Sequence, residues 1–164
     1  MLRITLFFVV CSLWPWPCFA ETYRSSDFGW SPEQDITSQF STLISNGTLS
    51  PGTQLVLDHT YRISGTHELP DDFTLSARMG AGFNVIDAAT SNQHFLRLGH
   101  RNTLDNLTIK YLDTPPLGSW GGTNPKHGVH FTRRTGIVAS GKDDIRIRNC
   151  LLEGSISHHL RISD

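Results

Sequence analysis

From residue 50 onward the chain is written in short strands. Leu55-Val56-Leu57, Tyr61-Arg62-Ile63, Phe73-Thr74-Leu75, Val85-Ile86, Phe95-Leu96-Arg97-Leu98 and Leu107-Thr108-Ile109 are apolar or alternating runs, and Ile137-Val138, Ile145-Arg146-Ile147 and Leu160-Arg161-Ile162 continue the series. Each is bounded by Gly, Asn, Asp, Ser or Pro, the residues of tight turns. No helical period of useful length follows residue 50, so this part is expected to be all-β. The spacing narrows the choice. Phe73 to Phe95 is 22 residues and Ile137 to Leu160 is 23, while the Asp105–Lys110 stretch recurs at Asp143–Arg148, 38 residues on. The longer interval reads as one coil plus an insertion, because 113–124 is crowded with Pro and Gly. Short strands at a period of about 20–30 residues predict a solenoid, whose coils bury apolar side chains against their neighbours. A β-sandwich also has many short strands, but no Asn-Gly hairpin joins adjacent runs here.

The upstream residues are of another kind. Arg3, the apolar run Ile4 to Leu13 and the small residues Cys18 and Ala20 form the pattern of a secretory signal peptide, expected to span 1–20. The apolar run is too short to cross a bilayer, so no stable membrane span is expected. Residues 21–30 read as a loose lead-in. Ser31-Pro32-Glu33 then predicts a helix start, since Ser caps, Pro suits the first helical position and acids favour that end. Ile36, Phe40, Leu43 and Ile44 fall on one helical face, and Asn46-Gly47 ends the helix. The expected organisation is a signal at 1–20, a lead-in and helix at 21–49, and β-coils over 50–164 with an inserted loop at 113–134.

Composition excludes several classes. Lys and Arg number 14 against 15 Asp and Glu, for a formal net charge of −1, so no phosphate-binding surface and no nucleic-acid partner is expected. Two of the three cysteines lie in the signal, leaving Cys150 alone and ruling out a disulfide scaffold. Cys150 is expected to be a small buried residue.

The stretch from Asp35 to Asp87 resembles the N-terminal part of pectate-lyase-like, right-handed parallel β-helix proteins. The residues that carry the resemblance are an amphipathic helix, then Gly47-Thr48-Leu49-Ser50-Pro51-Gly52-Thr53-Gln54-Leu55-Val56-Leu57, Leu69-Pro70-Asp71-Asp72-Phe73-Thr74-Leu75 and Phe83-Asn84-Val85-Ile86-Asp87. The resemblance implies that the helix caps the open end of the coil stack. It also implies a carbohydrate-active protein, with lyases of acidic polysaccharides such as pectin or alginate ahead of hydrolases. A family lyase uses Arg or Lys as base, with Ca²⁺ or basic side chains on the substrate's carboxylate. Calcium is implied only in this way, and no metal-ligand set is evident in the sequence. The chain stops within a strand pattern, so a piece of a longer enzyme is expected, exported to the periplasm or beyond. A non-catalytic surface protein (adhesin-like or glycan-binding) and an inactive fragment are the alternatives.

The candidate substrate-binding residues are Trp120, His127, His130, Arg133 and Arg134, all in the insertion. Indole stacks on sugar faces, and His and Arg meet carboxylates; a solvated surface loop is the plainer reading. Asp143 and Asp144 could contribute to a cation site only from a turn, and are otherwise ordinary turn residues. His158, His159 and Arg161 lack metal-ligand spacing on a strand. Asn149 is expected to be structural, satisfying backbone groups at a coil turn. Asn46-Gly47-Thr48 and Asn106-Leu107-Thr108 match glycosylation triplets, which arise easily by chance. No catalytic residue is assigned.

Overall fold

The computed structural model describes residues 21–86, 94–112, 137–154 and 160–163, with the backbone alone at Ser140 and 160–163. The expected signal peptide lies outside the described residues. The described residues are mostly β, with parallel sheets and one α-helix among them. Its strands are β1 (Thr22–Arg24), β2 (Gln54–Leu57), β3 (Thr60–Ile63), β4 (His67–Glu68), β5 (Thr74–Ala77), β6 (Gly82–Val85), β7 (Leu96–Arg97), β8 (Thr103–Asp105), β9 (Thr108–Tyr111), β10 (Ile137–Ser140), β11 (Arg146–Arg148), β12 (Leu151–Glu153) and β13 (Leu160–Ser163). Sheet A orders them β1-β2-β5-β8-β11, sheet B β12-β9-β6-β3 and sheet C β13-β10-β7-β4. From β2 to β13 the chain takes A, B and C in strict rotation, an order compatible with a β-helix. Every strand pairing among the described residues is parallel.

Alternation within each strand sends every second side chain inward. In register, Leu55, Leu75, Leu104 and Ile147 stack in sheet A, and Tyr61, Phe83, Ile109 and Leu152 in sheet B. His67, Leu96 and Ile137 stack in sheet C, and all three are buried. Burying each large apolar side chain contributes about 1.5–3 kcal/mol, so these columns hold the stacked strands together. The corners between sheets A and B are tight. Asn106 and Asn149 take left-handed backbone there, with φ of 57° and 55°. Asn106 donates to the Ala77 carbonyl at 2.8 Å, and Asn149 to the Asp105 carboxylate at 3.2 Å. Asn149 sits at a corner as expected but bonds a carboxylate side chain where a backbone group was expected, whereas Asn106 is the one committed to a backbone carbonyl.

Three expectations need correction. The helix α1 spans Thr37–Ser45 and does not begin at Ser31. Glu33 adopts φ of 58°, which breaks a helical course. The next residues pair with β3 instead: Arg62 donates to the Gln34 carbonyl at 2.9 Å and Ile36 to the Arg62 carbonyl at 3.0 Å. Residues 21–30 are not loose either, because β1 pairs with β2 and Trp30 is buried. The third correction concerns register. Phe73 precedes a strand of sheet A and Phe95 one of sheet C, so 22 residues is not a coil at that point. Likewise β11 pairs with β8, setting Arg148 opposite Asp105 across 43 residues where 38 was expected. The two Asp-rich strand-turn units look alike in sequence, yet they sit one sheet apart.

A lead-in latch follows from the packing of Asp58. Its side chain is 7% exposed and faces Arg24 at 3.3 Å and Arg78 at 3.0 Å. It also accepts from the Ser26 hydroxyl at 2.9 Å. Burial pushes its carboxyl up, but the Ser26 hydroxyl and amide and the two guanidinia outweigh that and hold it below the ordinary range. A depressed folded pKa gives stability that is present above the unfolded value, about 3.9, and lost as pH falls through the folded one. Asp58→Asn is therefore expected to cost about 1.5–3 kcal/mol at neutral pH, as charged hydrogen bonds do. In urea titrations the gap from wild type should close at the acid limb. A gap that persists unchanged there would refute the latch.

Candidate functional site

Sheet C turns its outer face to a groove of about 630 Å³, which continues along the corner leading to sheet A. Alternation builds its floor: where His67, Leu96 and Ile137 point inward, Glu68, Arg97 and Val138 point out, in register on β4, β7 and β10. Glu68 and Arg97 form an ion pair at 3.0 Å, with both side chains half or more exposed. The corner supplies the wall through Asp71, Gly99 and Lys142.

Two features fix that wall. Asn102 is fully buried, accepts from the Gly99 amide at 2.6 Å and donates to the Pro70 carbonyl at 2.6 Å. It thereby ties the segment after β7 to the segment after β4. Gly99 is needed for space: a Cβ there would stand 2.5 Å from the Asp71 carboxylate and 2.9 Å from the Leu69 carbonyl. With no side chain in the way, Asp71 crosses the turn and accepts from the His100 amide at 2.7 Å. Behind it, Asp72 and Arg101 make a paired hydrogen bond at 2.5 and 2.7 Å. The Arg101 hydrogen bond holds the Asp72 carboxyl below its usual range.

Trp120, His127, His130, Arg133 and Arg134 lie outside the described residues. The described chain leaves sheet B at the end of β9 and re-enters sheet C at Ile137, so their segment joins those two sheets in sequence. His158 and His159 are also outside the described residues, as is the side chain of Arg161, although its backbone pairs with Val138. Asp143 and Asp144 do occupy a turn, with Asp144 at φ of 55°. Asp143 is 85% exposed, and its carboxylate lies 3.5 Å from the His100 ring. Among the described residues no group of three His, Cys, Asp or Glu is placed to hold a metal ion. Burial pushes the Cys150 thiol up, which lowers its thiolate fraction and its nucleophilicity.

Sequence reasoning missed Glu68, Asp71, Arg97 and Lys142. Glu68 and Arg97 are 29 residues apart and become neighbours only through the register of two-residue strands. The available signal was charge at alternate positions beside inward residues, visible once β4 is recognised. No helix among the described residues is long and apolar enough to cross a membrane. Compared with known proteins, the sequence matches no protein-family model, no curated protein and no solved structure.

Proposed function

We propose that the chain is a secreted, right-handed parallel β-helix protein that acts on acidic polysaccharide, as a lyase-like enzyme. The observation that carries the reading is the groove over sheet C, where Arg97 and Lys142 line a channel open to solvent. Rotation of the strands through three parallel sheets, with a helix against one end, supports the β-helix assignment. Parallel crossovers are right-handed in about 98% of cases, which supports the hand. A groove lined from three stacked strands suits a polymer, and a guanidinium suits a uronate carboxylate.

In the elimination proposed, a base removes the proton on the carbon beside the carboxylate. The bond from the next carbon to the glycosidic oxygen breaks, that oxygen takes a proton, and a carbon–carbon double bond remains. Arg97 is placed on the carboxylate, where its charge stabilises the carbanion that develops. The test is absorbance from unsaturated ends when the full chain meets pectate, alginate or glycosaminoglycans. Wild type is expected to generate the signal, and Arg97→Gln to lower it about tenfold or more, the usual effect of losing a charged hydrogen bond. Retention on these glycans without product would identify a non-catalytic glycan-binding protein instead. Neither product nor retention would refute the carbohydrate reading for them.

A further inference from the structure

We propose that the groove favours glycans in which charged sugars alternate with uncharged ones, over glycans charged at every sugar; the proposal rests on reading the groove as an acidic-glycan site. Neighbouring strands lie about 4.8 Å apart, close to the length one sugar adds to an extended glycan. A chain laid across sheet C therefore meets about one strand per sugar.

The strands differ in what they present. Strand β4 offers the Glu68 carboxylate, with that of Asp71 three residues on, whereas β7 offers the Arg97 guanidinium and β10 the Val138 side chain. A carboxylate over Arg97 finds its partner. The adjoining sugar over β4 faces two carboxylates, of which Glu68 is 71% exposed and Asp71 is held by the His100 amide. A second uronate there would meet like charge, while an uncharged sugar would donate hydroxyl hydrogen bonds to the same oxygens. On the other side, Val138 suits the apolar face of a sugar, and Lys142, four residues on, lines the same corner. A charged sugar over Arg97 beside an uncharged one over β4 matches this order. Glu68 sharpens the choice because it already holds Arg97 at 3.0 Å. An incoming carboxylate competes with Glu68 for the guanidinium, and an uncharged sugar over β4 can donate hydroxyl hydrogen bonds to Glu68 without adding a like charge.

The test compares affinity of the full chain for hyaluronan, whose uronates alternate with uncharged sugars, and for polygalacturonate, charged at every unit. Hyaluronan is expected to bind more tightly by about fivefold, the worth of one exposed like-charge contact. Glu68→Gln, and Glu68→Gln with Asp71→Asn, should raise affinity for polygalacturonate and shrink the preference in that order. Melting curves of the variants check that they are folded. Polygalacturonate binding as tightly as hyaluronan, and unmoved by the substitutions, would overturn the alternation rule while leaving an acidic-glycan site in place. Retention of neither polymer would overturn both.

Discussion

Aspartates at Phe40 and Ile44 are expected to send the protein into the insoluble fraction. Phe40 is fully buried on α1, with ring centroids 5.1 Å from His67, 5.8 Å from Phe83 and 6.5 Å from Trp30. It closes one end of the core, because α1 lies beside β4, the outermost strand of sheet C. Thr37 accepts from the Ser64 amide at 2.9 Å, and Ser41 lies 3.4 Å from the His67 ring. Truncation alone, Phe40→Ala, should cost about 3–5 kcal/mol. A carboxylate at that position adds an unpaired buried charge, in a fold whose whole stability is about 5–15 kcal/mol. Loss of the helix would also bare the free edge of β4, which invites pairing between chains. Solubility on expression and the urea midpoint of Phe40→Ala check this. Soluble, cooperatively unfolding double-aspartate protein would refute the capping role of α1.

What the sequence revealed depended on how many inward residues each strand carries. Leu55 with Leu57, and Tyr61 with Ile63, make alternation visible, and those strands lie where expected. Strands β4 and β8 have one inward residue each, His67 and Leu104, and a single residue has no period. Without them the count of strands per coil was short, and intervals such as Phe73 to Phe95 were compared across different sheets. The helix face was legible from Ile36, Phe40, Leu43 and Ile44. Its start was not, because the backbone pairing of residues 34–36 with β3 overrides the local capping signals. The groove was hidden for the same reason as β4: Glu68 and Arg97 become a pair only when their strands are stacked.

Gly82→Ala is expected to cost about 4 kcal/mol or more, an effect seen only where a named structural feature is broken. A Cβ on Gly82 would overlap the Thr108 carbonyl oxygen and stand 2.7 Å from its carbon. Both are backbone atoms of the neighbouring strand, so no side chain can swing aside. Either β6 withdraws from β9, giving up the pairing that sets Phe83 against Ile109, or the ladder bends around the methyl group. Withdrawal would also shift Phe83, whose ring lies 5.6 Å from Phe95 and 5.8 Å from Phe40, and so loosen the core beneath the cap. Gly80, two residues earlier, supplies the contrast. It has φ of 82°, and a methyl group added there would have nothing within 4 Å, so Ala meets only backbone strain, about 1–2 kcal/mol. Urea unfolding of the two alanine variants under one set of conditions separates crowding from strain. Equal costs would show that the close approach of β6 to β9 relaxes freely, and that Gly82 is not what allows these strands to meet.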